Sequence, residues 1–390
     1  MTLSPPSLQS FSAGLLASIV GTASSFAVVV QGLLAVGASS DQAASGLMAL
    51  SIAMGACAIV AALATRMPIS IAWSTPGAAL LATGGAVDGG FPAAVGAFIL
   101  CALLIIAAGL FRPLGRAVAA IPMPLANAML AGVLFGLCLA PARAIGEFPI
   151  EALTIIVVWA LAFRFRRLYA VPLAVLTTAI LIYLTSDPAQ FGGLSVLTRP
   201  VLVMPEFTLG AAIGIGLPLF IVTMASQNIP GMAVLSVNNY FPDGGRLFSL
   251  TGVFSLFAAP FGGHAVNLAA ITAAMCAGED ADPDPKRRYW AAAFSGFFYI
   301  LFGLVAAAAT TFIAAAPPVL IEAVAGLALI GAFANSLMAA TRDAETREAA
   351  ILTFLITASG LSFFGVSGAF WGLIAGGAFM ALMRFRRNAP

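Results

Sequence analysis

The chain is a succession of long apolar blocks separated by short polar breaks. About 20 mainly apolar residues cross the hydrocarbon of a bilayer, fewer where a helix is interrupted. On that measure the pattern predicts fourteen helical spans. The first seven are residues 11–36, 43–64, 69–87, 91–110, 117–139, 149–163 and 168–184; the second seven are 207–233, 245–259, 263–277, 289–314, 319–340, 346–361 and 364–383. The third, sixth, ninth, tenth and thirteenth are short, and the third and tenth begin with residues that break a helix: Trp73-Ser-Thr-Pro-Gly77 and Pro260-Phe-Gly-Gly-His264.

Composition agrees with an all-α polytopic membrane protein. Hydrophobic residues make up 61% of the chain, charged residues only 8%, and mean hydropathy is +1.06. Soluble domains carry about 25% charged residues, so lipid must cover this surface. The 39 glycines suit close helix packing. Residues 1–10 hold no Lys or Arg, whereas a cleaved signal peptide needs a basic start, so the first helix is expected to be retained. The four cysteines, Cys57, Cys101, Cys138 and Cys276, sit in apolar runs without metal-ligand spacing. With no carboxylate pair, phosphate loop or metal cluster, neither an enzyme nor a cofactor is expected, and no nucleic acid is an expected partner.

Charge orients the spans. With the N-terminus in the cytoplasm, fifteen of the seventeen basic residues fall in cytoplasmic loops, and only Arg143 and Arg199 fall outside. That bias is the positive-inside pattern and puts both termini in the cytoplasm. Seven spans per half is odd, so a duplicated half would insert upside down, a common plan for secondary transporters. Ile121-Pro-Met-Pro-Leu-Ala-Asn-Ala128 at span five is echoed by Ala316-Pro-Pro-Val-Leu-Ile-Glu-Ala323 at span twelve, although chance could give as much.

Spans three and ten are the candidate site. Ser74 or Thr75 can cap a helix with Pro76 at its first position, next to Gly77. Gly262 and Gly263 permit irregular backbone before span ten. A half-helix beginning inside the membrane presents unpaired N–H groups and a positive dipole end, and two such ends make an anion site without Lys or Arg. The alternative is that these are ordinary kinks.

Several polar residues converge on the same segments. Gln227 and Asn228 are adjacent amides in span eight, before Pro230; they either serve the site or glue helices. Span one carries Ser24, Ser25 and Gln31. His264 is the only histidine and the only side chain that titrates near neutral pH unperturbed; it is either a proton and substrate group or a neutral core residue. Asn267, three residues on, is expected on the same helical face as His264. Phe26, Trp73 and Phe261 could stack on a flat ring or simply pack. No Asp or Glu lies deep in a span.

At these residues the chain resembles the benzoate–proton symporter family (BenE). The resemblance rests on Met224-Ala-Ser-Gln-Asn-Ile-Pro-Gly-Met232, Pro260-Phe-Gly-Gly-His-Ala-Val-Asn-Leu-Ala-Ala-Ile-Thr272, Phe-Ser-Ala-Gly-Leu at 11–15 and Trp73-Ser-Thr-Pro-Gly77, and covers essentially the whole chain. It implies a bacterial inner-membrane importer of benzoate or a similar aromatic acid, driven by protons. It implies the fold of nucleobase permeases and sulfate-type anion transporters, a 7+7 inverted repeat. In that fold residues 1–110 and 206–315 form a core domain and residues 111–205 and 316–390 a gate domain. Such permeases tend to carry acidic residues in spans eight and ten; here Gln227 and the His264–Asn267 segment stand nearest. Their absence suits an anionic substrate and leaves His264 as the remaining proton candidate. A homodimer is possible in such a fold. A nucleobase or inorganic anion as substrate, and a passive anion channel, are the competing readings.

Overall fold

The structure, a computed structural model, describes residues 5–387 apart from 24, 86, 112, 114–120, 167–168, 186–196, 270, 316 and 364–365. The apolar blocks are helices. In chain order they are α1 (Leu8–Ala23), α2 (Phe26–Ala35), α3 (Ser40–Thr65), α4 (Thr75–Gly84), α5 (Gly90–Leu110), α6 (Met123–Cys138), α7 (Ala140–Glu147), α8 (Pro149–Phe165), α9 (Ala170–Thr185), α10 (Leu209–Val237), α11 (Gly244–Ala258), α12 (Ile271–Ala277), α13 (Tyr289–Leu304), α14 (Ala306–Ala315), α15 (Pro318–Thr341), α16 (Arg347–Ala358) and α17 (Gly368–Arg387). Among the described residues four short strands interrupt them: β1 (Ile71–Trp73), β2 (Val266–Leu268), β3 (Ser362–Phe363) and β4 (Val366–Ser367).

Local chemistry sets the helix ends. Ser39 Oγ accepts from the Gln42 N–H at 3.2 Å while Gln42 Oε1 accepts from the Ser39 N–H at 2.9 Å, a capping box that starts α3. That helix ends at Arg66, whose φ of 55° is left-handed. Asp243 caps α11 through the Arg246 N–H.

Small residues decide the packing. Gly55 of α3 and Gly296 of α13 meet so closely that neither has room for a Cβ. Without a hydrophobic drive between helices in lipid, such contacts hold them by van der Waals packing. α3 also packs on α11 and α14, α5 on α11, α1 on α13, and α2 on α4. Elsewhere α6 packs on α15 and α16, α16 on α17, α8 on α9, and α7 on α15. The two sets of helices meet where α4 and α10 lie against α6, α2 against α15 and α1 against α9.

Among the described residues, six helical stretches are long and apolar enough to cross a membrane: Leu8–Ala35, Ser40–Thr65, Gly90–Leu110, Met123–Glu147, Leu209–Val237 and Pro318–Thr341. Val157, Leu161, Leu176, Ile180 and Leu355 stand about half exposed, an apolar surface suited to lipid.

Several predicted spans are broken; span three, among them, is extended at Ile71–Trp73 and helical only from Thr75. Span one divides into α1 and α2, and span eleven into α13 and α14. Span ten is helical only from Ile271, not from residue 263, because the preceding backbone is extended and pairs as β2.

Candidate transport site between broken spans

The third and tenth spans meet backbone to backbone. β1 and β2 pair antiparallel, with Ile71 opposite Leu268, Ala72 opposite Asn267 and Trp73 opposite Val266. The Ser74 N–H donates to Ala265 O at 2.9 Å and the Ala269 N–H to Ser70 O at 3.0 Å, so the ribbon extends beyond both strands. A half-helix leaves each strand: α4 after Trp73, α12 after Leu268.

Ser74 starts α4. Its Oγ accepts from the Gly77 N–H at 3.2 Å and lies 2.8 Å from Thr223 Oγ1 of α10. Thr75 is the first helical residue and Pro76 the second, one place later than expected. A Cβ on Gly77 would collide with Leu219, so α10 presses directly on this helix start.

α10 is itself irregular. Its turns at Ala212–Gly216 and Met224–Asn228 are π-helical, a geometry frequent at functional sites. The second turn carries both predicted amides. Asn228 is fully buried, and its Oδ1 accepts from the Leu268 N–H at 2.9 Å. Gln227 is only half-buried. Gly231 completes the contact, since a Cβ there would lie 2.6 Å from Leu268 Cβ.

Span one joins through Ser25, the residue that precedes α2. Ser25 Oγ accepts from Trp73 Nε1 at 2.8 Å and donates to Gly21 O at 3.1 Å. Trp73 is 2% exposed, so it braces the ribbon rather than presenting a free face. Phe26 packs half-buried against the core. Gln31 is half-buried, and its Oε1 has no partner among the described residues. Ser24 lies outside the described residues.

His264 is held differently. It is fully buried, its ring 6.2 Å from that of Phe98 on α5 in an edge-on contact. Nδ1 accepts from the Ala265 N–H at 2.7 Å, and Nε2 has no partner among the described residues. An accepting Nδ1 assigns the remaining proton of the neutral ring to Nε2. Gly262, with φ of 90°, brings this turn onto Gln42 and Gly46 of α3; Gly263 is buried against Ala258, and Phe261 is half-buried with its carbonyl accepting from Ser45 Oγ. His264 and Asn267 do not share a helical face, because Asn267 lies in β2 and His264 two residues before that strand, neither of them in a helix. Asn267 is fully buried; its Nδ2 donates to Leu268 O, and its Oδ1 has no partner among the described residues.

The structure thus joins Ser25, Trp73, Ser74, Gly77 and Asn228 through hydrogen bonds and close contacts, and sets His264, Phe261 and Gly263 against α3, α5 and α11. Sequence reasoning missed Thr223, whose hydroxyl reaches Ser74, and Ser255, which accepts from the Val266 N–H at 2.8 Å. It also missed the pair Ser70 and Thr272, 2.8 Å apart. Among the described residues no group of acidic, His and Cys side chains could hold a metal.

The fold is that of solved transporters. The structure matches SLC26A9 with a TM-score of 0.65 at 11% identity, covering 97% of this chain and spanning 65% of that one. It matches the transmembrane domain of the cyanobacterial bicarbonate transporter BicA with a TM-score of 0.56 at 15% identity, covering 96% of both chains. The chain is therefore a polytopic membrane protein of this transporter fold. It belongs to the benzoate membrane transport protein family (BenE), whose profile matches residues 4–382. It is 39% identical over 379 residues to the inner membrane protein YdcO of Escherichia coli K12, covering 96% of this chain and 95% of that one. It is 31% identical over 379 residues to the benzoate membrane transport protein of Acinetobacter baylyi, covering 95% and 94%. The family is one of membrane transporters, not enzymes.

Proposed function

We propose that the protein imports benzoate or a closely related aromatic carboxylate together with a proton across the bacterial inner membrane. The observation that carries this reading is the ribbon that joins two half-helices, one of them started by a buried Ser74 that α10 and Thr223 press into place. N–H groups at such helix starts attract a carboxylate. The half-buried Gln227 and Thr75 are the polar groups left to orient it, and Phe26 offers an apolar wall.

The proton acts through His264, indirectly. A proton on Nδ1 removes its lone pair, so the Ala265 N–H loses its acceptor. Ala265 is also the residue whose carbonyl holds the Ser74 N–H. Protonation therefore loosens the start of α4 through one shared residue, without His264 touching the substrate.

The frame is fourteen spans in two inverted halves, with both termini cytoplasmic. Residues 1–110 and 206–315 form the core that carries the ribbon, and 111–205 and 316–390 the gate. The separate packing of α1–α5 with α10–α14, and of α6–α9 with α15–α17, supports that division. A homodimer is compatible with this frame.

The bicarbonate transporter among the structural neighbours favours one alternative, a small inorganic anion. Competition separates the two. Excess unlabelled benzoate should displace radiolabelled benzoate from the purified protein while bicarbonate, sulfate and uracil do not. Displacement by bicarbonate or sulfate at equal concentration would move the substrate to inorganic anions.

A further inference from the structure

The half-helix α12 depends on partners outside itself. It runs only seven residues, Ile271–Ala277, and the first N–H groups and last carbonyls of any helix lack partners within it. Its start is held from the ribbon side. The Thr272 hydroxyl lies 2.8 Å from Ser70 Oγ, and Ser70, the residue before β1, also takes the Ala269 N–H at 3.0 Å. The far end needs a donor from elsewhere.

That donor is Arg288, the residue before α13. Its Nη1 donates to Ala277 O, the last carbonyl of α12, at 2.9 Å, and its Nε donates to Asp282 O at 2.8 Å. One planar guanidinium thus spans the loop that follows α12. Arg288 is 7% exposed and forms no salt bridge among the described residues, whereas its exposed neighbour Arg287 pairs with Asp284 at 3.6 Å. A buried charge ordinarily pairs with an opposite one. This one is committed to carbonyls, at a helix end where positive charge is favoured. Its second acceptor is fixed in turn. The Asp282 carboxylate accepts from the Ser7 and Ser10 hydroxyls beside the start of α1, at 2.6 and 3.2 Å, and from the Asp284 N–H at 2.9 Å.

We propose that Arg288 is a positioning residue for substrate binding, acting through α12 without touching the substrate. It fixes the far end of α12, α12 fixes Ser70 through Thr272, and Ser70 sets the ribbon from which α4 begins. The proposal rests on the aromatic-carboxylate reading above. Charge alone does not suffice for this role. A lysine keeps the charge but lacks the rigid fork that reaches both carbonyls, so Ala277 or Asp282 loses its donor, α12 loosens, and the start of α4 is held less firmly against the carboxylate.

Two readouts on the full-length protein test this in wild type, Arg288→Lys and Arg288→Gln. One is the KM of benzoate uptake into proteoliposomes. The other is alkylation of each cysteine by N-ethylmaleimide, resolved by mass spectrometry. Cys276 stands next to Ala277 in α12 and is fully buried; Cys57 of α3 and Cys101 of α5 are equally buried and report on the other helices. The expected result in both variants is a several-fold higher KM with little change in maximal rate, and a Cys276 that reacts several-fold faster while Cys57 and Cys101 stay protected. A lysine variant that matches wild type in both readouts would reduce Arg288 to its charge and overturn the proposal. A reactive Cys276 with an unchanged KM, or a raised KM with Cys276 still protected, would overturn it as well, because binding would then not depend on the end of α12. Reaction of all three cysteines together would make Arg288 a prop of the whole fold and equally overturn the positioning role. Absence of benzoate uptake in wild type would overturn the aromatic-carboxylate reading instead; the alkylation pattern would still decide whether Arg288 holds α12.

Discussion

Single side chains here hold backbone rather than one another. Asn228 is the clearest case, since its amide supplies the acceptor for a strand N–H. Asn228→Ala leaves that buried N–H unpaired, at a cost of about 1–3 kcal/mol. Thermal unfolding in detergent should show a lowered midpoint; an unchanged midpoint would mean the ribbon does not depend on α10. Asp282, in the polar loop after α12, gives a pH prediction. Burial raises its carboxyl, but hydrogen bonds from Ser7, the Asp284 N–H and Ser10, with the Arg287 charge, outweigh burial and hold it below the usual range. The folded value lies below the unfolded one of about 3.9, so the stabilisation is present above that pH and lost as pH falls through the folded value. The stability gap between wild type and Asp282→Asn should be constant from about pH 6 to 8 and close in acid. A gap that changes between those two values would contradict this. At this scale the sequence was a partial guide. The amide pair and His264 stood out as rare polar groups in apolar blocks. Thr223 did not, because a helical hydroxyl ordinarily bonds its own backbone. The relation of His264 to Asn267 was misread because a three-residue strand is too short to leave an alternating pattern.

At the scale of the element, helix starts frame the candidate site. Ser74 caps α4 and is tied to Thr223. Ser74→Ala removes both bonds; losing an N-cap alone costs about 1 kcal/mol. Benzoate uptake should show a several-fold higher KM with a smaller change in maximal rate, and Ser74→Thr should recover most of the loss. Equal effects on KM and rate, unrecovered by threonine, would point to misfolding. This start was legible because cap, proline and glycine are adjacent in sequence. The start of α12 was not, since two glycines announce a break without saying how far the extended chain runs. The π-helical turns of α10 were invisible, because one extra residue per turn leaves an apolar block unchanged.

Over the whole molecule, apolar blocks and the one-sided distribution of basic residues announced a membrane protein with helical spans, and the helices fall where the blocks do. The pairing of two distant segments into one ribbon was not readable, because two short strands nearly two hundred residues apart share no local signal. The proposed coupling of the proton also belongs to this scale, since it would link His264 through Ala265 to α4. His264→Ala should leave benzoate exchange at equal concentrations within about threefold of wild type while abolishing proton-driven accumulation. The most direct test of the account is uptake of radiolabelled benzoate into proteoliposomes holding the wild-type protein, with an acid exterior. The account predicts accumulation above the external concentration that collapses when a protonophore is added. Equilibration without accumulation, or no benzoate flux at all, would contradict it.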